Sequence, residues 1–174
     1  MEKGIAKGEY DNCSFRLCNF GSMDLSGMRF SECIFDGCDL SMAKLPETSF
    51  RGAQFKHCKL LGLRFDQCNK LLISFSFSSC VLDFCSFYQL NLKRTIFSDC
   101  RLHETDFVEA DLTHAKFINC DLTRAVFHNT MVQGCDFRTA INFSIDPQVN
   151  RISNARFSLS GLPGLLEKYD LLIE

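Results

Sequence analysis

The sequence predicts a repeat solenoid, a chain wound into stacked coils around a narrow apolar core. Three observations carry that prediction. Large apolar residues recur every five positions over the stretch Leu72, Phe77, Leu82, Phe87, Leu92, Phe97, Leu102, Phe107, Leu112, Phe117, Leu122, Phe127, Val132 and Phe137. A second lattice two residues earlier holds small residues, and every one of the eleven cysteines falls on it. The remaining three positions of each five are mostly Asp, Asn, Ser, Arg, Lys, Thr and Gly, the composition of a solvated face. A period of five belongs neither to a strand, with period 2, nor to a helix, with period 3.6.

The chain opens on a lead-in, residues 1–9, with Lys3 and Lys7 but no apolar run. It does not read as a signal peptide. The first repeat tract has its large lattice at Tyr10, Phe15, Phe20, Leu25, Phe30, Phe35, Leu40, Leu45, Phe50, Phe55, Leu60 and Phe65. The next step lands on Lys70, and the lattice restarts at Leu72, so the frame shifts by two within Asp66–Leu71. A bulge or small loop is expected there. The second tract runs to Phe137, and Phe75 occupies one of its small-residue slots, where it should strain or widen the coil. After Phe137 the pattern lapses at Asn142 and Pro147, and Asp146-Pro147 reads as the cap and first residue of a helical turn. Ile152, Phe157 and Leu162 return to frame, giving a repeat region of residues 10–162 with an irregular segment at 138–151. Beyond Gly161-Leu162-Pro163-Gly164, apolar residues at helical spacing predict a short amphipathic helix in 163–174, a natural cap for an open solenoid end.

At 174 residues the chain is long enough for one domain with a full core. A net charge of −2 favours neither a strong nucleic-acid binder nor an extreme acidic protein. No window approaches the run of about 20 apolar residues that spans a bilayer. Eleven cysteines without a secretion signal suggest a reducing, cytoplasmic setting.

The repeat units Ala110-Asp111-Leu112-Thr113-His114, Cys120-Asp121-Leu122-Thr123-Arg124 and Cys38-Asp39-Leu40-Ser41-Met42 resemble the pentapeptide-repeat family, whose motif is approximately Ala-(Asp/Asn)-Leu-x-x. The resemblance covers about three quarters of the chain. It implies an all-β, right-handed quadrilateral parallel β-helix with one repeat per side and four per coil. Residues twenty apart should then stack. Phe77, Phe97, Phe117 and Phe137 would form one column, Phe87, Phe107 and Phe127 another, and Cys80, Cys100 and Cys120 a third. Twenty-six lattice points make about six and a half coils, a rod of about 30 Å at roughly 4.8 Å per layer.

Candidate chemistry is sparse. Cys13/Cys18, Cys33/Cys38 and Cys80/Cys85 have metal-like spacing, but that spacing is the repeat itself. Stacked cysteines would hold their β-carbons near the layer spacing, beyond the usual disulfide range of about 3.5–4.5 Å. They read as small core residues. His57, His103, His114 and His128 fall on outward positions. Glycines 21, 27, 37, 52 and 62 fall at corners, where positive φ is expected. No catalytic residue, metal site or cofactor is expected.

Charge is more informative. Asp99, Glu104, Asp106, Glu109 and Asp111 stand against Arg101 alone, in a belt shorter than one coil. Stacking should set Arg101 over Asp121, Lys116 over Asp136 and Glu104 over Arg124. A rod bearing carboxylates can imitate duplex DNA, with its one charge per about 1.7 Å. Outward apolar residues near the frame shift, Ile73, Phe84 and Tyr88, are a second candidate partner surface.

The segments Ile145–Ile152 and Leu165-Leu166-Glu167-Lys168-Tyr169 look like the corresponding parts of the microcin-immunity and Qnr-like, fluoroquinolone-resistance branch of the family. That resemblance implies a non-enzymatic cytosolic protein, a homodimer joined end to end through Leu162, Leu165, Leu166, Tyr169 and Leu172. It also implies docking on DNA gyrase or topoisomerase IV as a DNA mimic, with Glu104, Asp106, Glu109 and Asp111 as anionic contacts and no direct nucleic-acid binding. The alternative is a scaffold for some other protein partner.

Overall fold

The computed structural model describes residues 5–71 and 73–172. The lattice residue Leu72, part of the lead-in (1–4) and the end of the terminal segment (173–174) lie outside the described residues. The chain forms a four-sided parallel β-helix. Two sides carry regular strands: β1 Glu9–Asp11, β3 Arg29–Ser31 and β5 Ser49–Arg51 make one sheet. β2 Ser14–Arg16, β4 Ile34–Asp36, β6 Ala53–Lys56, β7 Phe75–Ser78, β8 Ile96–Ser98 and β9 Lys116–Ile118 make the other, in that order. The other two sides are joined by single parallel bridges such as Asn19↔Asp39↔Lys59↔Val81↔Arg101↔Asp121. We number the sides one to four by the central residues Tyr10, Phe15, Phe20 and Leu25.

Each five-residue unit uses its residues in one way. The small residue and the large residue two places on point inward, and residues on either side of the large one point out. Backbone bonds then run between coils, as from Phe20 N to Asp39 O at 2.7 Å and from Asp39 N back to Cys18 O at 2.9 Å. The fifth residue closes the corner in the left-handed region, where φ is 58° at Ser22 and Met42, 52° at Glu104 and 57° at Glu109. A non-glycine residue there costs about 1–2 kcal/mol. Its amide is bonded to the next coil, Glu104 N to Thr123 O and Glu109 N to His128 O, both at 2.9 Å, which offsets much of that cost. Of the glycines expected in this conformation, Gly27, Gly37, Gly52 and Gly62 adopt it, with Gly134 in addition. Gly21 does not, because Ser22 already holds the corner.

The interior is filled by like on like. On side two, Phe15, Phe35, Phe55, Phe77, Phe97, Phe117, Phe137 and Phe157 stack face to face with centroids 4.9–5.4 Å apart. On side four, Phe65, Phe87, Phe107 and Phe127 stack at 4.9–5.3 Å. The columns run on through the frame shift. A 3-10 turn at Phe65–Gln67 and the following loop absorb two extra residues, so Phe55 pairs with Phe77 and Lys59 with Val81. Phe75 is accommodated because it sits opposite Ala53, its ring tilted at 40–63° among Phe50, Phe55, Phe65 and Phe77.

The segment after Phe137 is better ordered than its large lattice suggests. Ala140, Ile145, Asn150 and Ala155 keep the small lattice. Asn150 is buried and satisfied: it accepts from Thr130 N at 2.9 Å and donates to Phe127 O and Asp146 O at 3.1 and 3.0 Å. Asp146 caps the turn by accepting from Gln148 N at 2.8 Å. The terminal segment is helical and covers the rod end, but as 3-10 turns, Leu159–Leu165 and Glu167–Tyr169, in place of the α-helix expected. Gly161, Pro163 and Gly164 deny it helical propensity. Gly164 is also pressed onto the Phe143 carbonyl, which leaves no room for a Cβ.

Candidate interaction surface

The acidic belt wraps one coil around side four. Glu104 is the corner before that side, Asp106 its first outward residue, Glu109 the corner after it, and Asp111 lies round that corner on side one. Glu104 and Glu109 are exposed, while Asp106 and Asp111 are half-buried. The two aspartates have local work. Asp106 Oδ1 accepts from Val108 N at 2.8 Å, and Asp111 Oδ1 from Thr113 N at 3.1 Å and Thr113 Oγ1 at 2.6 Å. The same bond recurs at Asn19, Asp24, Asp39, Asn91, Asp121 and Asp136, so the Asp/Asn of each repeat fastens its own turn. Burial pushes the Asp111 carboxyl up, but the Thr113 hydrogen bonds and the Lys93 charge at 3.1 Å outweigh it and hold it below the usual range.

Stacking adds what a belt alone does not show. Along side four and its following corner lie Asp24, Glu47, Asp66, Asp106, Glu109 and Asp146, six carboxylates against Lys44 and Arg64. Side two carries the opposite excess, Arg16, Lys56, Lys116, Arg138 and Arg156 against Asp36, Asp136 and the corner Asp99. The rod is therefore charged across its width. At the ends of side four, Lys7 pairs with Asp24 at 3.3 Å and Lys168 with Asp146 at 2.7 Å, and Arg64 forks onto Asp66. Among the described residues Glu47, Asp106 and Glu109 make no ion pair, so the negative potential concentrates in the middle. Beside them Gln89 Nε2 donates to Glu109 at 2.7 Å and to Tyr88 Oη at 3.0 Å. Glu47 and Gln89 escaped notice in the sequence because only the stacking register sets them in one corner column with Glu109, Gln89 in the adjacent layer and Glu47 three layers back.

The stacked charges pair differently from expectation in two cases. Arg101 bridges Asp121 through the backbone but turns its guanidinium to the buried Asp83, at 2.6–3.1 Å, and Asp121 takes His103 at 2.7 Å. Asp136 likewise pairs with Arg138 at 2.7 Å, and not with Lys116. Each change follows from reach, since a fork on the same or adjacent turn is bidentate. Glu104 and Arg124 do pair, at 3.5 Å. No group of three or more potential metal ligands converges among the described residues.

The five terminal residues divide. Leu165 packs against the core, whereas Leu162, Leu166, Tyr169 and Leu172 are exposed, Leu172 almost completely at 94%. Of the apolar residues near the frame shift, Ile73 packs inward, while Phe84 is exposed beside Met42 and Leu61, with Met42 Sδ resting over Gly62.

Residues 71–141 match the family model described as pentapeptide repeat region, and residues 13–52 that described as pentapeptide repeats (8 copies). Among solved structures, a trypsin-treated form of QnrB1, a plasmid-mediated fluoroquinolone resistance protein, superposes with a TM-score of 0.69 at 18% identity, covering 95% of this chain and 91% of that one. Full-length QnrB1 gives 0.62 at 18% identity, covering 94% and 90%. At this identity the likeness is one of fold. No curated protein sequence matches the chain.

Proposed function

The chain belongs to the pentapeptide-repeat family, and on that premise we propose that it is a non-enzymatic, cytoplasmic binding rod whose partner is a type II topoisomerase, DNA gyrase or topoisomerase IV. Side four would lie where the enzyme holds DNA. The observation that supports this most directly is the run of six carboxylates along one side, of which Glu47, Asp106 and Glu109 make no ion pair among the described residues, against Lys44 and Arg64 on that side and Lys7 and Lys168 at its ends. Their common side lets the potentials add along the axis, as phosphate charges do along a duplex. The exposed Leu162, Leu166, Tyr169 and Leu172 at one end would join two rods into a homodimer, while Leu165 holds the terminal segment to its own core. Binding of this kind modulates or protects the enzyme, as in toxin immunity or quinolone resistance.

The test is a gyrase supercoiling assay with rising amounts of the protein, with and without ciprofloxacin. Inhibition or drug rescue at low micromolar protein is expected. Glu104→Gln, Asp106→Asn, Glu109→Gln and Asp111→Asn together keep the turn bonds and remove the charge. They should weaken binding by about tenfold in low salt. Unchanged affinity would sink the electrostatic mechanism. A second reading, a scaffold for another protein, is favoured by the exposed Met42, Leu61 and Phe84 between the exposed Lys44, Lys59 and Arg64. Failure to compete with DNA for gyrase would select it.

A further inference from the structure

Sides two and four are opposite faces of the square. A copy of the rod shifted sideways without rotation therefore sets side four of one chain against side two of the next. The backbone runs in opposite directions on opposite sides, so the first outward residue of a unit on side four meets the second outward residue of the unit on side two. Strand pairing fixes the column on side two, with Arg16 over Asp36, Asp36 over Lys56, Ser78 over Ser98 and Ser98 over Ile118. Bridges fix the column on side four, from Asp24 to Lys44, Arg64 to Ser86, Ser86 to Asp106 and Asp106 to Val126. Coils are counted from the one that holds Tyr10. Set coil against coil, Asp24 meets Arg16 in coil one, Lys44 meets Asp36 in coil two and Asp146 meets Arg138 in coil seven. Asp106 meets the Ser98 hydroxyl in coil five. Val126 meets Ile118 in coil six, apolar residues left exposed at 47% and 38%. The neighbouring columns place Tyr88 over Ser76 and Val108 over the exposed Ile96. Coil three is the exception, with Arg64 on Lys56, and there Arg64 is already forked onto Asp66. At the corners Glu109 meets Arg94, while Glu104 meets Asp99 and Glu47 meets Glu32. Among the described residues Arg16 and Lys44 make no ion pair within their own chain.

The match holds for one register and one polarity. Slid one coil along, Asp24 meets Asp36 and Lys44 meets Lys56. Slid the other way, Lys44 meets Arg16. With the second rod reversed end for end, first outward columns face each other and the coil order inverts about coil four. Asp24 then meets Asp136 and Lys44 meets Lys116. We propose that copies of this protein associate side by side, parallel and in register, with side four of one on side two of the next. The contact is heterologous, so each addition leaves a fresh side four and a fresh side two, and the copies add into an open row. A facade of seven layers measures about 34 Å by roughly 15 Å, so the contact covers about 1,000 Å² in all, the size of a weak and reversible interface. Exposed ion pairs add little strength, and their arrangement sets the register by penalising like charges in every other one. The row covers side four of every copy but one and so withholds it from any other partner. This pairing stands on the two facades alone, whatever that partner is.

The test is sedimentation velocity of the full chain at rising protein concentration, in about 0.05 M and about 0.5 M salt. In low salt the average mass should climb past that of a dimer and keep climbing, and in high salt it should fall back. Apolar pairing through the terminal segment stops at two copies and does not weaken in salt. Lys44→Asp and Asp36→Lys should each weaken the side-by-side association by about fivefold, because each sets like charges against each other in coil two. Neither residue fastens a turn, and Asp36 bonds only the exposed His57, so both variants keep the fold. An equimolar mixture of the two variants should recover the native association, since every altered face then meets an opposite charge on its neighbour. Unfolded chains would not recover on mixing. No growth past a dimer in low salt, undiminished growth in the single variants, or a loss that mixing does not restore overturns the proposal.

Discussion

Sides two and four share one backbone plan and diverge in everything attached to it. Side two carries the six-stranded sheet and the eight-ring phenylalanine ladder, with a surplus of cations outside. Side four has no regular strand, is interrupted by the 3-10 turn at Phe65–Gln67, and is acidic. The first outward residue accounts for part of the contrast, since side four also lacks strands where that residue is Lys44, Arg64, Ser86 or Val126. In every strand it is something other than Asp or Asn: Glu9, Ser14, Arg29, Ile34, Ser49, Gln54, Ser76, Ile96 and Lys116. Where it is Asp24 or Asp106 on side four, or Asp111 on side one, its side chain takes the amide two residues on, and the strand shrinks to a bridge and a turn. One side is thus built for rigidity, and the other spends its carboxylates on turns while displaying their remaining charge.

The largest effect should come from breaking side two. Phe97 is wholly buried between Phe77 and Phe117 at 5.1 and 4.9 Å. Phe97→Ala should cost about 3–5 kcal/mol, read from the urea midpoint. Acid should separate the sides next. Asp24, held at about 2 chiefly by Ser26, and the lowered Asp39, Asp111 and Asp121 fasten turns on sides one, three and four, and the lowered Asp136 fastens one turn beyond the strands of side two. Carboxyls lowered in the folded state stabilise it above the unfolded value of about 3.9, and that stability is lost as pH falls below about 4 towards 2. Hydrogen exchange should therefore rise first at these turns, with the strands of side two protected longest.

A smaller and more diagnostic effect lies at Asp106. Asp106→Asn keeps the bond to Val108 N and should change stability by a few tenths of a kcal/mol, while Asp106→Ala should lose about 0.5–2 kcal/mol, as other caps do. Both should weaken topoisomerase binding equally, by about two- to fivefold. If only the alanine variant binds less well, Asp106 acts through the turn and not through its charge. The smallest effect is expected from Lys116→Glu with Arg156→Glu on side two. Affinity for the partner should stay within about twofold, measured by the same competition. A large change would mean that the wrong side has been assigned to the partner.

The core was readable because two inward residues per five leave a period that nothing else produces, and Leu, Phe and Cys mark it almost without exception. The corner conformation was not readable from glycine. Ser22, Met42, Glu104, His114 and Arg124 hold the same left-handed geometry, imposed by bonds to the next coil. The terminal helix was misjudged because 3.6-residue spacing says nothing of Gly161, Pro163 and Gly164, which shorten it to 3-10 turns. The candidate site was half legible. Glu104, Asp106, Glu109 and Asp111 stand close in sequence, but Glu47 and Gln89 join them only through the stacking register.

The two-residue slip at the 3-10 turn has a consequence for how such a rod can change length. A unit of five added or lost would rotate everything beyond it by a quarter turn, carrying Glu47 to a different azimuth from Glu109. The slip here does not do that: Phe55 still meets Phe77, Lys59 still meets Val81 and Arg64 still meets Ser86, so sides two, three and four continue in line. The molecule therefore behaves as a ruler graduated in layers of about 4.8 Å. Insertions of a whole coil would move the marks apart without turning them, and anything that grips one facade would read the difference as distance alone.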